Sequence, residues 1–128
     1  MFVRFSLCLM AALLLSVTPL RSGWAGDASV VDVKVTTNGD GTYAFSTTVI
    51  HKDTGWEHYA DKWEVLGLDG KLIAERVLYH PHVDEQPFTR SLSRVAVPVG
   101  AREVLVRAHC KVDGDGKRSF RVKLPPRR

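Results

Sequence analysis

Between Val31 and Leu124 apolar residues recur at every second position in short runs, and the breaks between runs are turn residues. Val31, Val33 and Val35 alternate with Asp32, Lys34 and Thr36, and NGDG at Asn38 to Gly41 supplies a hairpin turn. Tyr43, Phe45, Thr47 and Val49 form the inward set of a second strand. After the polar loop KDTGWEHYAD, Trp63 and Val65 share one face of a third, and Asp69-Gly70 turns into a fourth over Lys71 to Tyr79. The segment HPHVDEQP leads to a fifth strand from Phe88 to Val97, closed by Pro98-Val99-Gly100. A sixth places Val104, Val106, Ala108, Cys110 and Val112 inward and Glu103, Leu105, Arg107, His109 and Lys111 outward. DGDGK then closes a hairpin to a seventh strand with Phe120, Val122 and Leu124 inward. No segment keeps a helical period over three turns.

The pattern predicts an all-β, seven-stranded antiparallel sandwich. The last hairpin, VLVRAHCKVDGDGKRSFRVKLP, resembles the final two strands of fibronectin type III modules, and Trp63 stands where such modules carry a core tryptophan. This resemblance implies an immunoglobulin or fibronectin type III-like fold and, because unrelated proteins share it, no function. The stretch YHPHVDEQPFTRSL, with GWEHYADKWEVLG and DGK before it, also resembles a group of short secreted bacterial proteins. That likeness implies periplasmic residence and no defined activity.

The first residues set the compartment. Met1 to Arg4 is a short basic start, Phe5 to Val17 an uncharged apolar run, and Gly23-Trp24-Ala25 a small-residue cleavage site. The run is 13 residues long, short of the roughly 20 that span a bilayer. Residues 1–25 are therefore expected to be a cleaved signal peptide, and 26–128 one secreted or periplasmic domain with no membrane association after cleavage. Cys8 lies inside the apolar run, a poor place for lipid attachment.

Composition matters mainly through that leader. The chain has 128 residues, 45% hydrophobic and 25% charged, with a net charge of +4. Arg4 and Arg21 go with the leader, which leaves 16 Lys and Arg against 14 Asp and Glu, two of the cations being the terminal Arg127 and Arg128. A nearly neutral body without a clustered basic face argues against nucleic acid. Both methionines and Cys8 also lie in the leader. Cys110 is left as the single thiol, so no internal disulfide is expected, and strand alternation makes it a buried, inert side chain.

Alternating strand direction sends loops 51–61, 80–87 and 113–117 to one end of the sandwich, and all five histidines belong to that end. His80-Pro81-His82 is the densest chemistry: in extended backbone two imidazoles at i and i+2 point to one side. Asp84 and Glu85 could add an oxygen ligand or orient an imidazole, and His51, His58 or His109 a third nitrogen. Such a nitrogen and oxygen set suits Zn²⁺ or Cu²⁺. The same residues also read as ordinary polar loop positions.

Absences narrow the metal. Without methionine a soft Cu⁺ thioether site does not fit, no histidine follows Cys110 as a blue-copper pattern needs, and one cysteine excludes a Cys-rich zinc site. DGDG at Asp113 to Gly116 lacks the ligand spacing of a calcium loop and reads as a turn. No nucleophile elbow appears, and Ser91 and Ser93 lie mid-strand, so the chain does not read as an enzyme. The resulting expectation is a binding or accessory module whose histidine-rich pole takes a divalent transition metal or a protein partner. The alternative is a metal-free protein- or carbohydrate-binding domain using Trp56, Tyr59 and Tyr79 as a ring platform.

Overall fold

Strand alternation positions nearly everything that follows. A computed structural model describes residues 26–128; the expected signal peptide, with its cleavage site and Cys8, lies outside the described residues. Eight antiparallel strands form: β1 (Ser29–Thr37), β2 (Tyr43–Ile50), β3 (Ala60–Leu66), β4 (Leu72–Val77), β5 (Phe88–Val95), β6 (Glu103–Cys110), β7 (Gly114–Asp115) and β8 (Phe120–Lys123). They make a three-stranded sheet in the order β1-β2-β5 and a five-stranded one in the order β4-β3-β6, with β7 and β8 both paired to β6. The all-β sandwich expected from the period-two pattern is what forms. The fourth strand joins the sheet of β3, whereas the constant-type immunoglobulin order puts it in the sheet of the first two. No helix is present among the described residues.

The strand count rises from seven to eight because the returning strand is broken. Gly114 and Asp115 pair with Cys110 and His109, while β8 pairs with Glu103 to Val106 along the same edge. Between them Gly116 donates its N–H to the Ala108 carbonyl and passes so close to β1 that a Cβ would stand 2.3 Å from the Ala28 carbonyl oxygen. Only glycine fits that approach.

The core is the expected inward set of the two sheets. Tyr43, Phe45, Thr47 and Val49 from β2 are buried against Trp63 and Val65 from β3 and Val104, Val106, Ala108 and Cys110 from β6. Burial of this kind contributes roughly 25 cal/mol per Å² of apolar surface removed from water, and Trp63 is its largest fully buried side chain.

Three expectations need correction. In β1 a bulge between Val30 and Asp32 turns Val31 out to solvent and lets Val30 pack on the core instead. A second bulge in β5, with Arg94 at φ 57°, separates Val95 from Leu92 along β2 and ends the strand at Val95. Val112 is not an inward strand residue: it lies in the turn 111–113 and is exposed. Gly114 at φ 78° lets that turn close three residues earlier than the DGDGK reading placed it.

Connections alternate between the two ends as the topology requires. The loops 51–59 and 78–87 and the turn 111–113 share one end, and 38–42, 67–71 and 96–102 the other. All five histidines lie at or beside the first end.

Candidate metal centre

The β2–β3 loop is held by a carboxylate that solvent does not reach. Asp53 accepts from His51 Nδ1 at 2.5 Å and from the Ala60 N–H at 2.9 Å through Oδ1, and from the His82 N–H at 2.7 Å through Oδ2. One side chain thereby ties the end of β2, the start of β3 and the β4–β5 loop together. Gln86 bridges the same loops, its Oε1 accepting from the His51 N–H and its Nε2 donating to the His82 carbonyl. With Nδ1 turned to Asp53, His51 presents Nε2 towards the sandwich end, where it lies 2.9 Å from the Gly26 carbonyl oxygen.

His58 comes to meet it because the loop folds back on itself. A bridge between Gly55 and His58 closes the tight turn, and the two imidazoles stand 5.1 Å apart at 68°. His58 Nε2 donates to Asp113 Oδ2 at 2.8 Å. Asp113 in turn is curled over Cys110 by the 111–113 turn: its N–H points at Sγ, and the thiol donates back to Oδ2 at 3.4 Å.

His51, His58, Cys110 and Asp113 thus form one group that could hold a metal ion, with a ligand atom from each lying within 4.8 Å of the others. Metal–ligand bonds of about 2.0–2.3 Å place tetrahedral ligand atoms roughly 3.5 Å apart, so a modest contraction encloses an ion. Two nitrogens, a sulfur and an oxygen are a borderline-soft donor set that suits Zn²⁺ or Cu²⁺. Asp53 behind His51 is the carboxylate that fixes a ligand imidazole's orientation.

Electrostatics at the group follow from its placement. The hydrogen bond from His58 holds the Asp113 carboxyl below the usual carboxylate range, against a smaller opposing effect of burial. Burial pushes the Cys110 thiol up, so an incoming cation has to displace its proton.

The expected HxH pair is built differently. His80 and His82 do share a side, with rings 4.6 Å apart, but His82 is buried, stacked on Phe88 at 3.9 Å and 9°. Its Nε2 accepts from Arg90 at 3.0 Å, so a cation there would meet a guanidinium. Burial first, then the charges of Arg90 and His80, lower the His82 pKa. His80 is exposed, with Nδ1 facing the Pro81 carbonyl. Asp84 is exposed, and Glu85 pairs with Arg90 instead of with an imidazole. His109 bonds Asp61 through Nδ1 at 2.5 Å on the outer face of β6, away from the four-residue group.

Trp56 and Tyr59 meet edge to face at 5.9 Å, with Lys111 Nζ over the Tyr59 ring. Trp56 is exposed, as is Tyr79, which has no ring partner among the described residues. Two surface concavities sit at the opposite end, around Gly67 to Asp69 and Gly100 to Glu103, and are lined by neither histidine nor cysteine.

Sequence reasoning named His51 and His58 and missed Cys110 and Asp113. The available signal was position: Cys110 ends β6 at the histidine-bearing pole, and Asp113 opens the loop there.

Fold and site together define an antiparallel β-sandwich with a His-His-Cys-Asp group at one pole. No protein-family model matches the chain. It is similar to a "Putative lipoprotein" of Halomicrobium mukohataei, 40% identical over 96 residues, which are 75% of this chain and 47% of that one. The chain therefore spans about half the length of the curated relative it matches. Among solved structures it is similar to the superoxide reductase (1Fe-SOR) of Giardia intestinalis, with a TM-score of 0.45 and 15% identity over 72% of this chain and 95% of that chain.

Proposed function

We propose that the protein is an extracytoplasmic module that binds one divalent transition-metal ion, Zn²⁺ or Cu²⁺, through His51, His58, Cys110 and Asp113. The convergence of four different donor atoms within 4.8 Å carries the reading. Exposure supports it: the His58 and Asp113 side chains are about one-third exposed, which gives an ion a path in, while Cys110 and His51 form a buried floor. The leader expected over 1–25 and the lipoprotein description of the relative support export, to the periplasm or the cell exterior.

Isothermal titration of residues 26–128 with Zn²⁺ and with Cu²⁺ tests it. The expected result is saturable one-to-one heat, weakened about 10–100-fold or abolished by His58→Ala and by Cys110→Ser and unchanged in the His80→Ala/His82→Ala double variant. No saturable heat, or loss confined to the double variant, overturns it.

A second reading rests on the exposure of Trp56 beside Tyr59: a ring platform for a sugar or a protein side chain. A change in tryptophan emission on adding soluble oligosaccharides, absent in Trp56→Ala, is its test.

A further inference from the structure

Gly26 is the first described residue, and it sits inside the candidate centre. Its carbonyl oxygen caps His51 Nε2, the one nitrogen of that ring left to a metal. Its Cα lies against the Asp113 carboxylate so closely that a Cβ would stand 2.5 Å from Oδ2, and its φ is +96°. Both facts restrict the position to glycine. The backbone nitrogen of Gly26 is one bond from that Cα, on the residue whose carbonyl meets His51 and whose Cα lies against Asp113.

Within an uncut chain this nitrogen is an amide, a poor ligand. The cleavage expected after Ala25 turns it into a primary amine, whose lone pair, unlike that of an amide, is not delocalised into a carbonyl and can be given to a cation. An ion that displaces the Gly26 carbonyl from His51 Nε2 then finds a further nitrogen donor on the same residue. We infer that leader removal completes the centre, the α-amino nitrogen of Gly26 joining His51, His58, Cys110 and Asp113 as a fifth ligand to the divalent ion. The inference rests on the metal reading above, and makes metal loading follow export.

Two chains separate the possibilities: one starting at Gly26 with a free amine, and one retaining Ala25 ahead of it. Residues 26–128 contain the whole described core, so both fold, which circular dichroism checks. Zn²⁺ and Cu²⁺ are titrated into each. The chain starting at Gly26 is expected to bind tighter by about tenfold or more, and Zn²⁺ is expected to shield its amine from acetylation, read by mass spectrometry. Equal affinities with an unshielded amine overturn the fifth ligand while leaving the four-residue centre standing. Failure of both chains to bind removes the centre itself.

Discussion

Asp53 and His51 are hydrogen-bonded at 2.5 Å between Oδ1 and Nδ1, and solvent reaches almost nothing of either side chain. The same carboxylate also receives two backbone N–H groups, from Ala60 and His82, so it ties both ends of the β2–β3 loop to the β4–β5 loop. Removing one partner of a buried charged network costs about 3–5 kcal/mol, because the groups left behind stay buried and unpaired. Asp53→Ala is therefore expected to lose stability on that scale, and Asp53→Asn less, since an amide oxygen still accepts. Urea midpoints of the two variants against the parent measure the difference. A cost of Asp53→Ala under about 1 kcal/mol, the scale of an exposed pair, contradicts the tether.

His82 makes stability depend on pH in a defined direction. Its pKa is lowered by burial on Phe88 first, then by Arg90 and His80, with Glu85 and Asp53 opposing. The unfolded chain thus takes up the proton before the folded one, and stability falls as pH drops below about 6.5. The loss levels off once pH passes the lowered folded value. Urea unfolding of the parent and of His82→Gln across this range gives the contribution as their difference. A parent that gains stability relative to His82→Gln on acidification would falsify the assignment.

Cys110 is fully buried, and burial raises its thiol pKa. Since the thiolate is the nucleophile, a disulfide reagent is expected to react with the folded protein far more slowly than with the unfolded chain, the rate rising with added urea. A fast stoichiometric reaction without denaturant sinks this.

The two tryptophans of the described residues divide cleanly between core and solvent, Trp63 at 0% exposure and Trp56 at 63%. Acrylamide should quench a fraction of the emission that Trp56→Phe removes. Trp63→Ala is expected to cost about 3–5 kcal/mol. Trp63→Phe should cost markedly less, because the indole N–H has no hydrogen-bond partner to lose. Thermal melts of both variants decide it.

Most of the fold was legible because burial writes itself as period two: the inward positions of β2 and β6 follow their alternation. β3 departs from it, with register shifts at both ends and Glu64 and Leu66 buried beside Trp63 and Val65. The other exceptions are bulges, at Val31 and around Arg94, where one extra residue reverses the phase without a residue type that announces it. The pole of the site was legible from strand direction alone. Its composition was not, for two reasons. Alternation correctly turned Cys110 inward, yet a strand end facing inward can also face a loop above it, and there the thiol meets Asp113. Nor does spacing show that Arg90, eight residues on, already occupies His82. A centre whose histidines both precede its cysteine also escapes a test that looks for histidine after cysteine.

The way the chain enters and leaves the sandwich has a practical consequence. Gly26 lies among the donor atoms, while Arg127 is bonded to the carbonyls of Gly41, Val97 and Pro98 at the far end. An affinity tag or fluorescent fusion ahead of Gly26 would crowd the very donors it is meant to report on. The same cargo placed after Arg128 would hang from the other end of the sandwich and leave them open, so immobilisation through the carboxyl terminus is the geometry for any surface-based binding measurement.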